Sequence, residues 1–295
     1  MAHILVAMEL PWHCQAAVSC AHNEREETSM KIRIKSLLQT LLISALLVNG
    51  VVANAASPAV KQPQVDTPKR VLFVGNSYLY YNDSLHNHVR RLALAADPAT
   101  AKAFEYKSAT IGGAPLNHHN MDHLTKPGNL GIKEPFELVI MHGNSTDALA
   151  DARRASFRDK AVEFSKLIAE RGGKVALYMT PAHIRPSKAA APDMMAKTAD
   201  MYVSVGNEIN ALVIPSGLAF EEAYRQRPDI KLHQDYDGSH PTMLGTYLAA
   251  CTVYASVYNK PCSGNSYDYY GKVGKEDAAF LQKVADETVK KFFGR

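Results

Sequence analysis

Strand-length apolar runs alternating with helical stretches predict an α/β domain, a parallel sheet of about five strands covered by helices on both faces. The first observation is Arg70-Val71-Leu72-Phe73-Val74-Gly75-Asn76-Ser77-Tyr78, where four consecutive apolar residues stop at a glycine and two polar side chains. An apolar run without polar alternation suits a strand buried on both faces. The second is that Leu85, Val89, Leu92, Ala93 and Ala96 follow at helical spacing. The third is repetition: later apolar runs also end in glycine or polar residues. In a parallel sheet such ends share one edge, where open α/β sheets place their sites.

Ahead of this domain, Met30 opens a basic stretch, Lys31-Ile32-Arg33-Ile34-Lys35, followed by an apolar segment from Leu37 to Val52 and then Ala53-Asn54-Ala55-Ala56. This is the layout of a secretory signal peptide, so 30–55 is expected to be removed and the protein to be secreted or periplasmic. Gln39, Thr40, Asn49 and Gly50 interrupt a segment already short for a membrane span, and no span is expected after cleavage. Residues 1–29 match no targeting pattern and read as an extension ahead of the natural start. Residues 56–68, rich in Pro, Ala, Ser and Gln, read as a flexible leader, leaving 69–295 as one domain.

Within that domain the second strand is expected at Phe104–Thr110, ending at Gly112-Gly113, and the third at Glu137–Met141, ending at His142-Gly143-Asn144. Helical spacing runs from about Ala150 to Glu170 and stops at Gly172-Gly173, a good carboxyl-terminal signal. Lys174–Met179 is the fourth strand, a helix spans about Met194–Asn210, and Ala211–Ile214 is the fifth strand. Helices follow at Ala219–Arg225, at Pro241–Tyr258 with the proline in its first turn, and at Asp277–Phe293.

The chain carries 33 Lys and Arg against 29 Asp and Glu, a formal net charge of +4 with no basic block, which gives no warrant for a nucleic-acid partner. Two cysteines follow the signal, Cys251 and Cys262. In an exported protein the pair is expected to form a disulfide, clipping a helix end to the next loop with roughly 2–3 kcal/mol of stabilisation.

Four polar clusters fall at strand ends or in a late loop: Ser77, Gly112-Gly113, Asn144 and Asp237-Gly238-Ser239-His240. Ser77 by itself reads equally as a helix cap. A nucleophilic serine needs a base within hydrogen-bond reach, a group to hold that base's tautomer, and donors aimed at the oxyanion. Together the four clusters supply each part. His118, His119 and His123 are close in sequence, but His119 and His123 offer only two ligands on one helix face, without a His-Glu-x-x-His pattern. No metal or other cofactor is expected.

In order and spacing, Gly75-Asn76-Ser77-Tyr78, Gly112-Gly113, Asn144 and Asp237-x-x-His240 resemble the motifs of the SGNH (GDSL-like) hydrolases. Gly112-Gly113-Ala114-Pro115-Leu116-Asn117-His118-His119 resembles the Gly-Gly-x-x-Leu-x-x-His of one branch of that family. The resemblance spans about Val71 to Tyr258. It implies a three-layer α/β/α sandwich of flavodoxin-like type, Ser77 as nucleophile, His240 as general base and Asp237 as its orienting carboxylate. It further implies an oxyanion hole of the Ser77 N–H, the Gly113 N–H (or Gly112) and the Asn144 amide. Two positions depart from the family pattern: Asn76 stands where aspartate is common, and His142 where glycine is common.

The function this implies is an esterase acting on short acyl esters of small molecules or polysaccharides, acetyl first, with Tyr78 and His142 as candidate substrate contacts. Tyr80 and Tyr81 also lie close enough to stack on a sugar. A lipase or lysophospholipase, and a non-catalytic carbohydrate- or cell-wall-binding protein, are the alternatives.

Overall fold

The computed structural model describes residues 57–295. The expected extension and signal peptide lie outside those residues. Five parallel strands, β1 (Arg70–Gly75), β2 (Glu105–Thr110), β3 (Leu138–Met141), β4 (Lys174–Tyr178) and β5 (Leu212–Ile214), form one sheet in the order β2-β1-β3-β4-β5. The helices in chain order are α1 (Ser77–Tyr80), α2 (Leu85–Ala96), α3 (Pro98–Ala101), α4 (Met121–Thr125), α5 (Asp151–Glu170), α6 (Met194–Glu208), α7 (Ser216–Gln226), α8 (Met243–Tyr258) and α9 (Lys275–Phe293). This is the flavodoxin-like order. The chain leaves β1 toward β2 on one side and returns to β3 on the other, opening a crevice at the carboxyl ends of β1 and β3.

Side-chain alternation sorts each strand between two cores. Val71, Phe73, Leu138, Ile140, Ala176, Tyr178, Leu212 and Ile214 face a core built with α2, α7, α8 and α9. Leu72, Val74, Val139, Met141, Val175, Leu177 and Val213 face the other, against α5 and α6. The apolar runs are thus two interleaved faces, each covered by helices. Helix α8 is buried along nearly its whole length, wrapped by the sheet, α2, α7 and α9, which is why it is apolar all round. Among the described residues no helix is long and apolar enough to cross a membrane.

Three expectations are corrected. Pro241 does not begin α8: it bridges His233, and Thr242 caps the helix by accepting from the Gly245 N–H at 3.2 Å. The part of the leader from residue 57 onward has no regular element but is tied down. The Ala59 N–H donates to Asn207 Oδ1 at 2.7 Å, Gln64 donates to the Asn210 carbonyl at 2.9 Å, and Pro63 and Val65 line a small gap with Leu138, Val175 and Leu212 at the amino ends of β3, β4 and β5. Cys251 and Cys262 are free thiols, both fully buried, rather than a disulfide. The loop after α8 is held instead by α9: Asp286 accepts from the N–H groups of Cys262 and Ser263 at 2.7 and 2.9 Å, and Gln282 accepts from Gly264 at 3.0 Å.

Candidate active site

At the carboxyl end of β1 the chain turns straight into α1, placing Ser77 at the first helical position. Its N–H has no carbonyl four residues back to bond and remains a free donor. Asn76 is the cap and a clamp. Its Oδ1 accepts from the Tyr78 N–H at 3.3 Å, while its amide donates to the Ala114 carbonyl at 3.0 Å and the Gly143 carbonyl at 3.1 Å. These bonds tie the loops after β2 and β3 to the nucleophile turn. An aspartate has no hydrogen to give either carbonyl, so Asn76 changes the loop bonding while leaving the serine in place.

His142 lies beneath this turn with no solvent exposure. Its Nδ1–H donates to the Gly143 carbonyl at 2.7 Å and its Nε2 accepts from the Asn76 N–H at 3.3 Å, which fixes the neutral tautomer. Burial pushes the imidazole down to about 4, so it stays neutral at ordinary pH. The ring fills the space above Gly75, where a Cβ would lie 2.2 Å from Nε2.

The loop between α7 and α8 brings the remaining groups to Ser77. It doubles back on itself, with the Gln234 N–H donating to the His240 carbonyl at 2.8 Å and the Gly238 N–H to the Gln234 carbonyl at 2.8 Å. Gly238 has φ +63°, and a side chain there would meet the Ile184 carbonyl at 2.2 Å, so both backbone and packing require glycine. Asp237 Oδ1 accepts from the N–H groups of Ser239 and His240 at 2.8 and 3.0 Å. Its Oδ2 accepts from His240 Nδ1–H at 2.5 Å, and Ser77 Oγ–H donates to His240 Nε2 at 2.8 Å. Burial pushes the Asp237 carboxyl up, but the hydrogen bonds from His240 and the two backbone groups outweigh it and hold it below its ordinary value. Tyr81 lies flat on the imidazole, ring centroids 4.3 Å apart and planes 9° from parallel.

The loops expected to bind an oxyanion meet beside this relay. Asn144 Nδ2 donates one hydrogen to the Gly113 carbonyl at 2.8 Å, while its Oδ1 accepts from the Thr146 N–H at 3.0 Å and hydroxyl at 2.8 Å. The amide is therefore oriented with one N–H left over. Gly113 adopts φ +67° and is exposed, as is Gly112.

Asp147 holds the Asn144 backbone N–H at 2.7 Å. Burial raises its carboxyl from 3.8 to about 6, against the pull of the Asn144 N–H and Arg153. Between those values the folded chain binds more protons than the unfolded one, so this group costs stability as pH rises through that window. Asp147→Asn removes that cost. Relative to wild type the variant should gain about 1–2 kcal/mol between pH 4 and 7, less than the full shift because asparagine gives up the charge-assisted hydrogen bond from the Asn144 N–H. Denaturant unfolding at several pH values measures the difference; a flat difference would reject the assignment.

Ser77, His240 and Asp237 thus form one hydrogen-bonded chain, and Asn144 meets Gly113 at the same edge. Two expected substrate contacts are placed otherwise. Tyr78 is buried with its hydroxyl on Ser239 Oγ at 2.8 Å, and His142 is fully enclosed, so both shape the site from beneath. The exposed aromatics at the rim are Tyr80 and Tyr236, at 41% and 68%, with Tyr81 between them. Tyr236 had no local signal, since a tyrosine in a polar loop reads only as a loop residue. His183, in the loop after β4, meets Tyr78, Ser145 and Ser239, and with Ile184, Phe220, Tyr224 and His233 lines a cavity of about 170 Å³ that no triad side chain enters. The other histidines disperse: His119 is buried under the turn, and His123 bonds Asn129. Among the described residues no three metal-ligating side chains gather at one point.

A parallel α/β/α sandwich carrying a Ser–His–Asp chain at its switch point has the fold of the SGNH and GDSL-like hydrolases. Several solved structures share it, among them the following three. A DUF4886 family protein from Bacteroides uniformis matches with a TM-score of 0.59 at 18% identity, over 74% of this chain and 93% of its own. A protein assigned as an SGNH hydrolase from Slackia heliotrinireducens gives 0.52 at 20% identity, covering 64% of this chain and 98% of its own. One assigned as a GDSL-like lipase from Parabacteroides merdae gives 0.52 at 13% identity, covering 67% and 99%. No family model and no curated protein matches the chain.

Proposed function

We propose that this chain is an exported serine esterase that hydrolyses short acyl esters through an acyl-enzyme on Ser77. The observation that carries this reading is the unbroken Ser77–His240–Asp237 chain, at 2.8 and 2.5 Å. Ser77 Oγ attacks the ester carbonyl while His240 Nε2 takes its proton. The Asp237 carboxylate holds Nδ1–H and balances the imidazolium that forms. The oxyanion is received by the Ser77 N–H, the Gly113 N–H (Gly112 as the alternative) and the free hydrogen of the Asn144 amide. His240 then gives its proton to the leaving alkoxide, and water, deprotonated by the same imidazole, releases the acyl group.

Acetyl is the preferred acyl group and a carbohydrate the preferred acceptor. What favours the acceptor is the rim: Tyr80, Tyr81 and Tyr236 present aromatic surface beside His240, suited to the apolar face of a sugar ring. A lysophospholipase would need room for a long chain, and a non-catalytic binder would have no use for an aligned hydroxyl and imidazole.

The test is a fluorophosphonate probe followed by peptide mapping. Labelling at Ser77 that disappears in His240→Ala supports the esterase; an unlabelled folded wild type refutes it in favour of a binding protein. With nitrophenyl esters, kcat/KM should fall by about tenfold or more from acetate to octanoate on this reading, because a site shaped for acetyl rejects added methylenes. The reverse order would favour the lipase.

A further inference from the structure

We propose that His183 is a positioning residue that keeps the nucleophile turn, the oxyanion loop and the triad loop in register through one imidazole nitrogen. The inference rests on the esterase reading.

His183 Nε2 lies 2.9 Å from Ser145 Oγ, 3.1 Å from Tyr78 OH and 3.1 Å from Ser239 Oγ. Each partner is the chain neighbour of a residue of the proposed mechanism. Tyr78 follows Ser77, Ser145 follows Asn144, and Ser239 precedes His240. Three loops from different parts of the chain therefore reach one atom from a fourth. One neutral imidazole nitrogen makes a single strong hydrogen bond, so the hydroxyls share it, and Tyr78 OH and Ser239 Oγ also bond each other at 2.8 Å. Burial drives His183 below its ordinary value, which favours the uncharged ring.

The residue is itself anchored. Its Nδ1 bonds Ser187 Oγ at 2.8 Å, its N–H donates to Met194 Sδ at 3.3 Å, and the next N–H, of Ile184, donates to the Gly238 carbonyl at 2.8 Å. His183 therefore sits on a support that is fixed to α6 and to the triad loop. It contacts no reacting atom of the proposed mechanism. Its effect is on where Ser77, Asn144 and His240 stand relative to one another, and displacement of such groups by an ångström costs about 100-fold in rate.

Two substitutions separate positioning from general support. Glutamine places its amide nitrogen where Nε2 stands; asparagine reaches only as far as Nδ1. His183→Gln should keep kcat within about 5-fold of wild type, whereas His183→Asn should lose about 30- to 100-fold in kcat with KM within about 2-fold. Ser145→Ala and Ser239→Ala should each cost about 3- to 10-fold alone and much less when added to His183→Asn, because they act through the same atom. Equal losses in the Gln and Asn variants, in step with their melting temperatures, would overturn the proposal. So would additive losses from the serines. If His183→Asn does not fold, the Ser145→Ala/Ser239→Ala double variant decides: less than the product of the single losses supports the hub, the full product rejects it. Wild type labelled at Ser77 with full activity in folded His183→Asn removes only the role of His183, whereas wild type without labelling removes the esterase itself.

Discussion

Replacing Ser77 with alanine should lower kcat/KM on nitrophenyl acetate by about 10⁴-fold or more. The side chain is 5% exposed and makes one hydrogen bond, to His240 Nε2, so little else depends on it. Alanine is also a good helix former at the opening of α1. The melting temperature should therefore stay within about 3 °C of wild type, and circular dichroism should not change. Binding of product analogues should persist, because the oxyanion donors and the aromatic rim remain. The nearby hydroxyls of Ser145 and Ser239 do not take over, since they bond His183 and lie off the His240–Asp237 relay. Activity retained in the variant, after expression in a host lacking background esterases, would place the nucleophile elsewhere.

The second large effect is expected at a residue with no chemistry of its own. Gly75→Ala introduces a methyl 2.2 Å from His142 Nε2 and 2.3 Å from Cδ2. The ring has nowhere to go. Both its nitrogens are bonded, and it is packed edge-on to Tyr78 and tilted against Tyr178, with centroids 6.2 and 5.6 Å away. Overpacking of a rigid core costs about 1–3 kcal/mol, and the upper end is expected here. The larger consequence is catalytic. His142 Nε2 supports the Asn76 N–H directly before Ser77, so its displacement moves the nucleophile and should reduce kcat by about 100-fold. Pairing Gly75→Ala with His142→Ala should recover part of the loss, with a coupling of about 1–2 kcal/mol in a double-mutant cycle. Wild-type stability and turnover in Gly75→Ala would mean that the turn tolerates a shift the packing forbids.

The departures from the family pattern illustrate how far the sequence could be read. His142 stands out as a histidine in a glycine's place, and in sequence a polar side chain beside a site suggests contact with substrate. Its burial depends on Gly75, which lies on another strand and leaves the space the ring enters. Asn76 was legible as a change in loop bonding, but its carbonyl partners, on Ala114 and Gly143, are loops brought together only by the sheet. The paired thiols belong to the same class. Cys251 and Cys262 are neighbours as expected, yet the loop is secured by Asp286 and Gln282 from a helix whose sequence carries no mark of that role.

The resemblance to the SGNH hydrolases singled out Ser77, Asn144, Asp237 and His240; what the sequence by itself determined was the alternation of strands and helices and the glycine and polar stops at the strand ends. These follow from side-chain periodicity and from short-range spacing, which are properties of neighbouring residues. Only the tertiary structure decided that Tyr78 and His142 lie beneath the site, that Tyr236 joins Tyr81 at its rim, and that His183 gathers three loops on one nitrogen. Such contacts join segments from 38 to 161 positions apart. They exist because a parallel sheet delivers its strand ends to one edge, and no local pattern records which side chains will meet there.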